Sequence, residues 1–325
     1  MRNSKFAWLG LILTLGWLPP VPVVAQTSGK VIRIVVPFAP GGGRELLARA
    51  FVTEMSQALG QTVIIDNRPG AGGAIGTVVV GKSEPDGHTL ILASPSHSVV
   101  AIITSPPPYD PLKDFVGTAM IGTGGNVLMI NGQLPAQNLQ EFLKWVRSQP
   151  AGKLNYASAG SGSATHLSMS YLMGLTGIDM THIPYKSTQD SSNDLIAGRV
   201  QAAFIPNINA MAFIKDTRVR LLGYSSLRRS RLMPTVPTLD EAGAKGFDYD
   251  AWYALLAPAG SPRPMIDRLY NAVAKATEDP VVVDRLLKQG IEPLTMRPAE
   301  IDALLRSDLE KTAKIIKAAG DSIKQ

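Results

Sequence analysis

The 325-residue chain contains no cysteine, which excludes a disulfide framework, a thiol nucleophile and a cysteine-held metal. Its four histidines, His88, His97, His166 and His182, stand singly, with no second ligand at a spacing such as H-x-x-x-H, so the sequence offers no zinc pattern. Aromatic residues are sparse, at 6%, and the densest basic stretch, Arg228-Arg229-Ser230-Arg231, has none beside it. A nucleic-acid surface interleaves bases of charge with stacking rings, so this stretch reads as a solvated loop. After the first 25 residues no apolar run approaches the roughly 20 residues that cross a bilayer.

What is present begins with an export signal. Arg2 and Lys5 precede an apolar run from Phe6 to Leu18, and Val23-Val24-Ala25 supplies small residues for cleavage. Pro19, Pro20 and Pro22 interrupt the segment, which argues against an uncleaved anchor. Residues 1–25 are therefore expected to be a signal peptide, giving a soluble periplasmic protein that begins near Gln26. Losing Arg2 and Lys5 lowers the formal net charge from +6 to +4, a mild basic balance that favours anions without identifying one. The remaining 300 or so residues exceed the usual size of one domain.

Along that length the chain alternates strand, small-residue loop and helix. Val31 to Val36 is a strand that stops at Pro37 before Gly41-Gly42-Gly43, and Leu47, Phe51 and Met55 line one face of the helix that follows, up to Gly60. Thr62 to Ile65 and Thr89 to Ala93 are strands on either side of a second glycine loop, Gly70 to Gly73, and a short helix from Ala74. The pattern restarts after Val127 to Ile130, with Asn138 and Glu141 at capping-box spacing. Leu154 to Ala157 then leads through Ser158 to Ser163 into a helix from Ala164 to Thr176, ended by Gly177, and strands follow at Met180 to Ile183 and Val200 to Phe204. Trp252 to Ala257 reads as a return to the first lobe. The expected organisation is lobe 1 from 26–128 plus 252–325 and lobe 2 from 129–251, an α/β fold of mostly parallel sheets flanked by helices. Ligands in such folds sit beyond the carboxyl ends of the strands, where these loops fall.

Two motif matches fail their context. Gly76 to Ser83 fits G-x-x-x-x-G-K-S letter for letter, but Pro85 and the Asp86-Gly87 turn leave no room for the helix that a P-loop starts at its Lys-Ser. Gly160-Ser161-Gly162-Ser163-Ala164 misses the G-x-S-x-G nucleophile turn by register and by its final alanine. A serine hydrolase using Ser163 with His166 or His182 would also need an acid to orient the base, and none stands out. The glycines before helices are better suited to presenting backbone N–H groups to an anion. No cofactor is expected.

From Ile32 to about Gly320 the chain resembles the Bug-type receptors of tripartite tricarboxylate transporters. The likeness is carried by Pro37-Phe38-Ala39-Pro40-Gly41-Gly42, Asn67-Arg68-Pro69-Gly70-Ala71-Gly72-Gly73, Pro85-Asp86-Gly87, Gly162-Ser163 with His166, and His182-Ile183-Pro184-Tyr185-Lys186. Val236-Pro237-Thr238 and Pro258-Ala259-Gly260 continue it. The resemblance implies a two-lobed Venus-flytrap fold of the type II periplasmic binding class, a monomer without catalysis, a small organic acid or amino-acid-like ligand, and membrane permease subunits as partners. By position it implies a site of Phe38, Pro40, Gly41 and Gly42, with Ala71 and Gly72 beneath, and Ser94, Ser158, Gly160, Ser163, Thr165, Tyr185 and Ile205 around the ligand. Three departures stand out. Arg44-Glu45 replaces the common Thr-Asp, as a pair of opposed charges expected to meet at the rim. Ser187 replaces a glycine. Phe204-Ile205-Pro206 lacks the aspartate suited to a ligand ammonium, which favours a non-amino carboxylate.

Overall fold

The computed structural model describes residues 29–319 apart from Gly42, Gly162 and Lys186, so the expected signal peptide lies outside the described residues. In chain order the strands are β1 (Ile32–Val36), β2 (Val63–Asn67), β3 (Thr89–Ala93), β4 (Phe115–Gly124), β5 (Asn126–Asn131), β6 (Asn155–Ser158), β7 (Thr181–Pro184), β8 (Ala202–Pro206), β9 (Val219–Tyr224), β10 (Ala251–Pro258) and β11 (Glu292–Pro293). The helices are α1 (Gly43–Leu59), α2 (Ala74–Gly81), α3 (Ser96–Ile103), α4 (Leu139–Arg147), α5 (Ala164–Thr176), α6 (Thr188–Ile196), α7 (Asn207–Ala210), α8 (Arg263–Glu278), α9 (Pro280–Leu287) and α10 (Pro298–Ala319).

Two sheets result, one ordered β11-β4-β10-β3-β1-β2 and the other β7-β6-β8-β5-β9. Both are mixed, which corrects the expectation of mostly parallel sheets. In the first, β1 pairs parallel with β2 and β3, while β10 runs antiparallel to both β3 and β4. In the second, β6 is parallel to β7 and β8, while β5 is antiparallel to β8 and β9. The cause is the path of the chain. Gly124 and Ala251 both line the space between the sheets, so β4 ends there and β10 starts there. The strand that enters each lobe from the other, β5 or β10, must run outward where its neighbours run inward.

Alternation of side chains builds a core on each face. Ile32, Ile34 and Val36, with Leu90, Leu92, Leu255 and Ala257, meet Leu47, Phe51 and Met55 of α1. Val35, Ile91, Ala93, Ala254 and Leu256 point the other way and pack with Ile301 and Leu305 of α10. In the second lobe Leu128 and Ile130 face one core and Val127 and Met129 the other. Period-two burial on both faces is what a sheet covered by helices on each side requires.

Sheet membership puts the whole of β5 in the second sheet, so the first crossing falls at Gly125 rather than beyond Leu128. Helix α10 serves both lobes, since Ile315 and Ile316 at its far end join the core around Phe142 and Tyr156. We therefore propose the two-lobe division with this helix as a shared strut. Asn138 caps α4, its side chain accepting from the Glu141 N–H at 3.0 Å while Glu141 reaches back to the Gln137 N–H at 2.7 Å. Ser187 caps α6 by accepting from the Asp190 N–H at 3.1 Å, which gives that departure a structural role.

The strand β4 and the helix α3 are absent from the sequence reading. Gly117, Gly122 and Gly124 dilute the strand pattern, yet each is required by close packing. A Cβ on Gly117 would come within 2.7 Å of the Pro298 carbonyl oxygen, and one on Gly122 within 2.5 Å of that of Glu292. Such glycines mark close approach of another backbone rather than a turn.

Candidate functional site

The carboxyl ends of β1, β3, β6 and β8 face each other across a cleft of about 600 Å³. Its floor is made by the crossings, with Gly124, Gly125 and Asn126 on one and Tyr249 and Ala251 on the other. These positions are fixed by topology. The Gly125 N–H donates to Tyr224 Oη at 2.8 Å, and the Asn126 N–H to Ser225 Oγ at 2.9 Å, so the first crossing is tied to the end of β9.

Four of the residues expected at the site line this cleft: Phe38 and Gly72 from the first lobe, Ser163 and Thr165 from the second. Gly72 sits in a run, Gly70 to Gly73, in which every φ is positive, including 48° at Ala71 and 64° at Gly72. Ala71 is the one non-glycine among the described residues with this conformation, which costs a residue with a Cβ about 1–2 kcal/mol. The run forms a single 3₁₀ turn over Ala71–Gly73 that leads into α2, whose N-cap is Gly73, and the N–H groups that open such a turn lack helical partners. Gly76 allows α2 to lie against β1, since a Cβ there would meet the Arg68 carbonyl oxygen at 2.9 Å. The same helix explains the failed P-loop match, because Lys82 is its C-cap and Ser83 Oγ donates to the Val80 carbonyl.

On the facing wall, Ser163 caps α5, its hydroxyl accepting from the His166 N–H at 3.3 Å. Thr165 Oγ1 accepts from the Ala159 N–H at 3.0 Å and lies 3.1 Å from Ser163 Oγ. The two hydroxyls carry two protons and their mutual bond uses one. One O–H thus remains to donate into the cleft, whichever way that bond is drawn.

The other expected residues fall elsewhere. Ser94 is buried behind Ser96, to which it bonds at 3.0 Å, and Ser96 lines the cleft in its place. Ser158 is fully buried, bonded to His182 Nε2 at 2.6 Å and to the Gly160 N–H at 3.1 Å. Gly160 and Ala71 adjoin the cleft loops without lining the cavity, and Pro40 is exposed. Tyr185 donates its hydroxyl to Asp194 at 2.6 Å, and Ile205 is a fully buried core residue of β8. Ser94, Ser158, Tyr185 and Ile205 each lie at or next to a strand end, where a single step of the pleat turns a side chain from cleft to core. Gly42 lies outside the described residues.

The Gly41 N–H is already used. It donates to Glu45 Oε2 at 2.5 Å, and Arg49 bonds the other oxygen, with Nη2 at 2.5 Å. The Gly41 N–H, followed by Arg49, holds the Glu45 carboxyl below its ordinary range. The protein's own carboxylate therefore occupies the anion position expected for a ligand at Gly41. It also overturns the expected Arg44–Glu45 pair: Glu45 joins Arg49 one turn on, and Arg44 turns into the cleft, its guanidinium carbon 5.0 Å from the ring centroids of Phe38 and Tyr253.

Beneath the second-lobe wall His166 and His182 stack at 3.9 Å, beside Tyr156. Burial, with the neighbouring His182, pushes His166 down to about 4, and burial lowers His182 as well. Both rings are neutral at pH 7 and can stack without repulsion. Ser163 bonds to Thr165 and the α5 backbone rather than to either imidazole. Among the described residues no group of three or more metal-ligating side chains converges.

The profile of the tripartite tricarboxylate transporter family receptor matches residues 47–321. Protein BugT of Bordetella pertussis is 33% identical over 307 residues, 93% of this chain and 94% of its own. Among solved structures the periplasmic binding protein BugD superposes with a TM-score of 0.69 at 32% identity, covering 89% of this chain and 97% of its own. MatC from Rhodopseudomonas palustris, solved with bound malate, gives 0.69 at 32%, covering 88% and 98%. Similarity at this level extends over both lobes and the cleft between them, and the chain belongs to the tripartite tricarboxylate transporter receptor family, with the two-lobed α/β fold of periplasmic binding proteins.

Proposed function

We propose that the protein captures a small carboxylate-bearing metabolite between its lobes in the periplasm and delivers it, as a monomer and without catalysis or a cofactor, to a tripartite tricarboxylate-type permease. The observation that carries this reading is the meeting of two sets of uncommitted donors across one cleft. The Ala71-Gly72 turn at the start of α2 offers backbone N–H groups, and the Ser163–Thr165 pair opposite offers one hydroxyl proton. A carboxylate accepts from both walls at once, so binding favours closure. Malate bound to MatC is a ligand of the same chemistry on a related fold.

Each charge-assisted hydrogen bond contributes about 1.5–3 kcal/mol. Ser163→Ala therefore weakens the best ligand of a small organic-acid panel by roughly tenfold to a hundredfold in calorimetric titration. Gly72→Trp abolishes binding, because the residue lies at φ 64° in the cleft wall and a Cβ there already meets Val100 at 3.1 Å. Normal affinity in both variants, with folding intact, moves the site elsewhere. In the wild type a ligand at a hundred times its dissociation constant adds about 2.7 kcal/mol of stability, which a thermal-shift screen detects.

Export follows from the first 25 residues, and the secreted protein is expected to start near Gln26. Intact-mass measurement of periplasmic material checks this, and retention of Met1 to Ala25 on the soluble protein refutes it.

A further inference from the structure

The loop between α9 and β11 is built into the first lobe but is gripped by the second. Within its own lobe it is fixed at several points. The Ile291 N–H donates to the Leu286 carbonyl at 2.9 Å, the Gln289 side chain donates to the Leu46 carbonyl at 3.2 Å, and Glu292 pairs with Thr123 of β4. From this base Gly290 reaches the start of α7 in the other lobe. A Cβ on it would lie 2.6 Å from both Asn207 Oδ1 and the Ile208 Cβ, and its φ is 71°, so the approach is one that glycine makes and a residue with a Cβ does not. Two residues on, the Glu292 carboxylate accepts from Ser230 Oγ at 2.5 Å and from the Arg231 N–H at 3.0 Å, one donor to each oxygen. Ser230 and Arg231 follow β9 and move with the second lobe.

The two contacts lie on opposite faces of the hinge. Gly290, Asn207 and Ile208 line the ligand cleft, as do Ala251 and Tyr253 of β10. Glu292 instead lines a separate cavity of about 190 Å³ with Thr123 and Asp250, and Asp250 alternates with Ala251 along the pleat. The chain passes between the lobes at Gly125 and at Asp250, so a rotation about these crossings that narrows the cleft in front widens the gap behind. Closure beyond the angle seen here therefore presses Gly290 against α7 and stretches the bonds to Glu292. The tie is firm, because hydrogen bonds to a carboxylate are about twice as strong as those between neutral groups.

Building on the proposed receptor function, we propose that the Gly290–Glu292 segment is a closure stop, which sets how near the lobes approach and so the smallest ligand that both walls can hold at once. Size selection then resides in a contact outside the ligand's reach. Glu292 acts as a positioning residue, on the face of the hinge turned away from the cleft.

The test is an interlobe distance, measured by pulsed electron spin resonance on the ligand-free protein. The chain has no cysteine, so spin labels attach only where Ile75→Cys and Gln189→Cys place them, on exposed residues near Gly72 and Thr188 of the two cleft walls. Glu292→Ala adds a population at shorter distance. Glu292→Gln, which keeps one acceptor, gives a smaller share of that population, and Gly290→Ala shifts the distribution to longer distance. Calorimetric titration with straight-chain carboxylates of increasing length then reads the selectivity. Glu292→Ala improves binding of the shortest acid relative to the longest by about tenfold, the equivalent of one charge-assisted hydrogen bond. Distances unchanged in both Glu292 variants, a shorter distance in Gly290→Ala, or an unchanged preference for length each refute the stop while the receptor reading stands. If no acid binds the wild type, the receptor reading fails and the distances alone decide the stop.

Discussion

Gly125→Ala is expected to cost several kcal/mol of stability and to lower ligand affinity at least a hundredfold, the largest effect of any single methyl group in the cleft. Gly125 is the residue between β4 and β5, where the chain first passes from lobe to lobe. A Cβ there would fall 2.6 Å from both Cε2 and Oη of Tyr224, inside the distance any real contact allows. Tyr224 is 3% exposed and cannot swing out, so the crossing must move. Overpacking of this kind costs about 1–3 kcal/mol, and loss of the Gly125 N–H bond to Tyr224 Oη adds about 1–3 kcal/mol for a buried unsatisfied group. Because the crossing is also the cleft floor, the displacement separates Asn126 and Asn207 from the facing wall. Tyr224→Phe is the control: it removes the bond without the clash, so it loses only the second share of the stability. Denaturant unfolding and titration of both variants decide the point. Equal stability of the two variants would show that the clash is relieved cheaply and that the crossing is not a rigid pivot.

Acid is expected to weaken the fold through its buried histidines, and His97→Phe to reverse part of that loss. His97 is 3% exposed, with Tyr109 and Phe115 at ring distances of 5.0 and 4.9 Å, and its ring nitrogens make no hydrogen bond of ordinary geometry, with only the Pro111 carbonyl as a weak acceptor. Burial pushes it down to about 4, opposed in part by the Pro111 carbonyl. In the unfolded chain it protonates near 6.5, so between pH 6.5 and 4 the unfolded state holds a proton that the native state refuses. Stability contributed by the neutral ring is full above pH 6.5 and is lost as the pH falls toward 4, on the order of 3 kcal/mol at the low end. His166 acts in the same sense and window. Asp250 acts oppositely. Burial raises its carboxyl to about 7, so its contribution is full below its unfolded value near 3.8 and disappears as the pH rises to 7. Since these slopes oppose, the informative quantity is the difference between variant and wild type. His97→Phe is expected to raise Tm at pH 8 by removing an unsatisfied polar ring from an aromatic pocket, and to raise it further at pH 4.5. A gain of the same size at both pH values would remove His97 from the account.

The local grammar of the chain was legible because it rests on contacts within a few residues. Leu47, Phe51 and Met55 are spaced for one helix face and are all fully or nearly fully buried in the first-lobe core. Asn138 with Glu141, Gly177 at φ 66°, and the helix over Ala164–Thr176 appear where the residues place them. Where the pattern failed, distant packing had overwritten it. β4 looks like loop because its glycines answer to α10 and β11, which are more than a hundred residues away. The cleft was legible to the level of the loops that line it, Gly70 to Gly73 and Ser158 to Thr165, but only in part to the level of side chains.

Sequence by itself determined the cysteine-free α/β character of this protein, its strand, small-residue loop and helix units, and its family, because these depend on composition and short-range order. Tertiary structure alone decided strand direction, since that follows from the end at which the chain enters each lobe. It also decided which donors remain free. Glu45 bonds the Gly41 N–H, Asp194 takes the Tyr185 hydroxyl and His182 takes Ser158, while Arg44 Nη1 and Asn207 Nδ2 have no hydrogen-bond partner among the described residues. A hydrogen bond is spent on whichever partner folding brings within 3 Å, and no linear spacing records that choice.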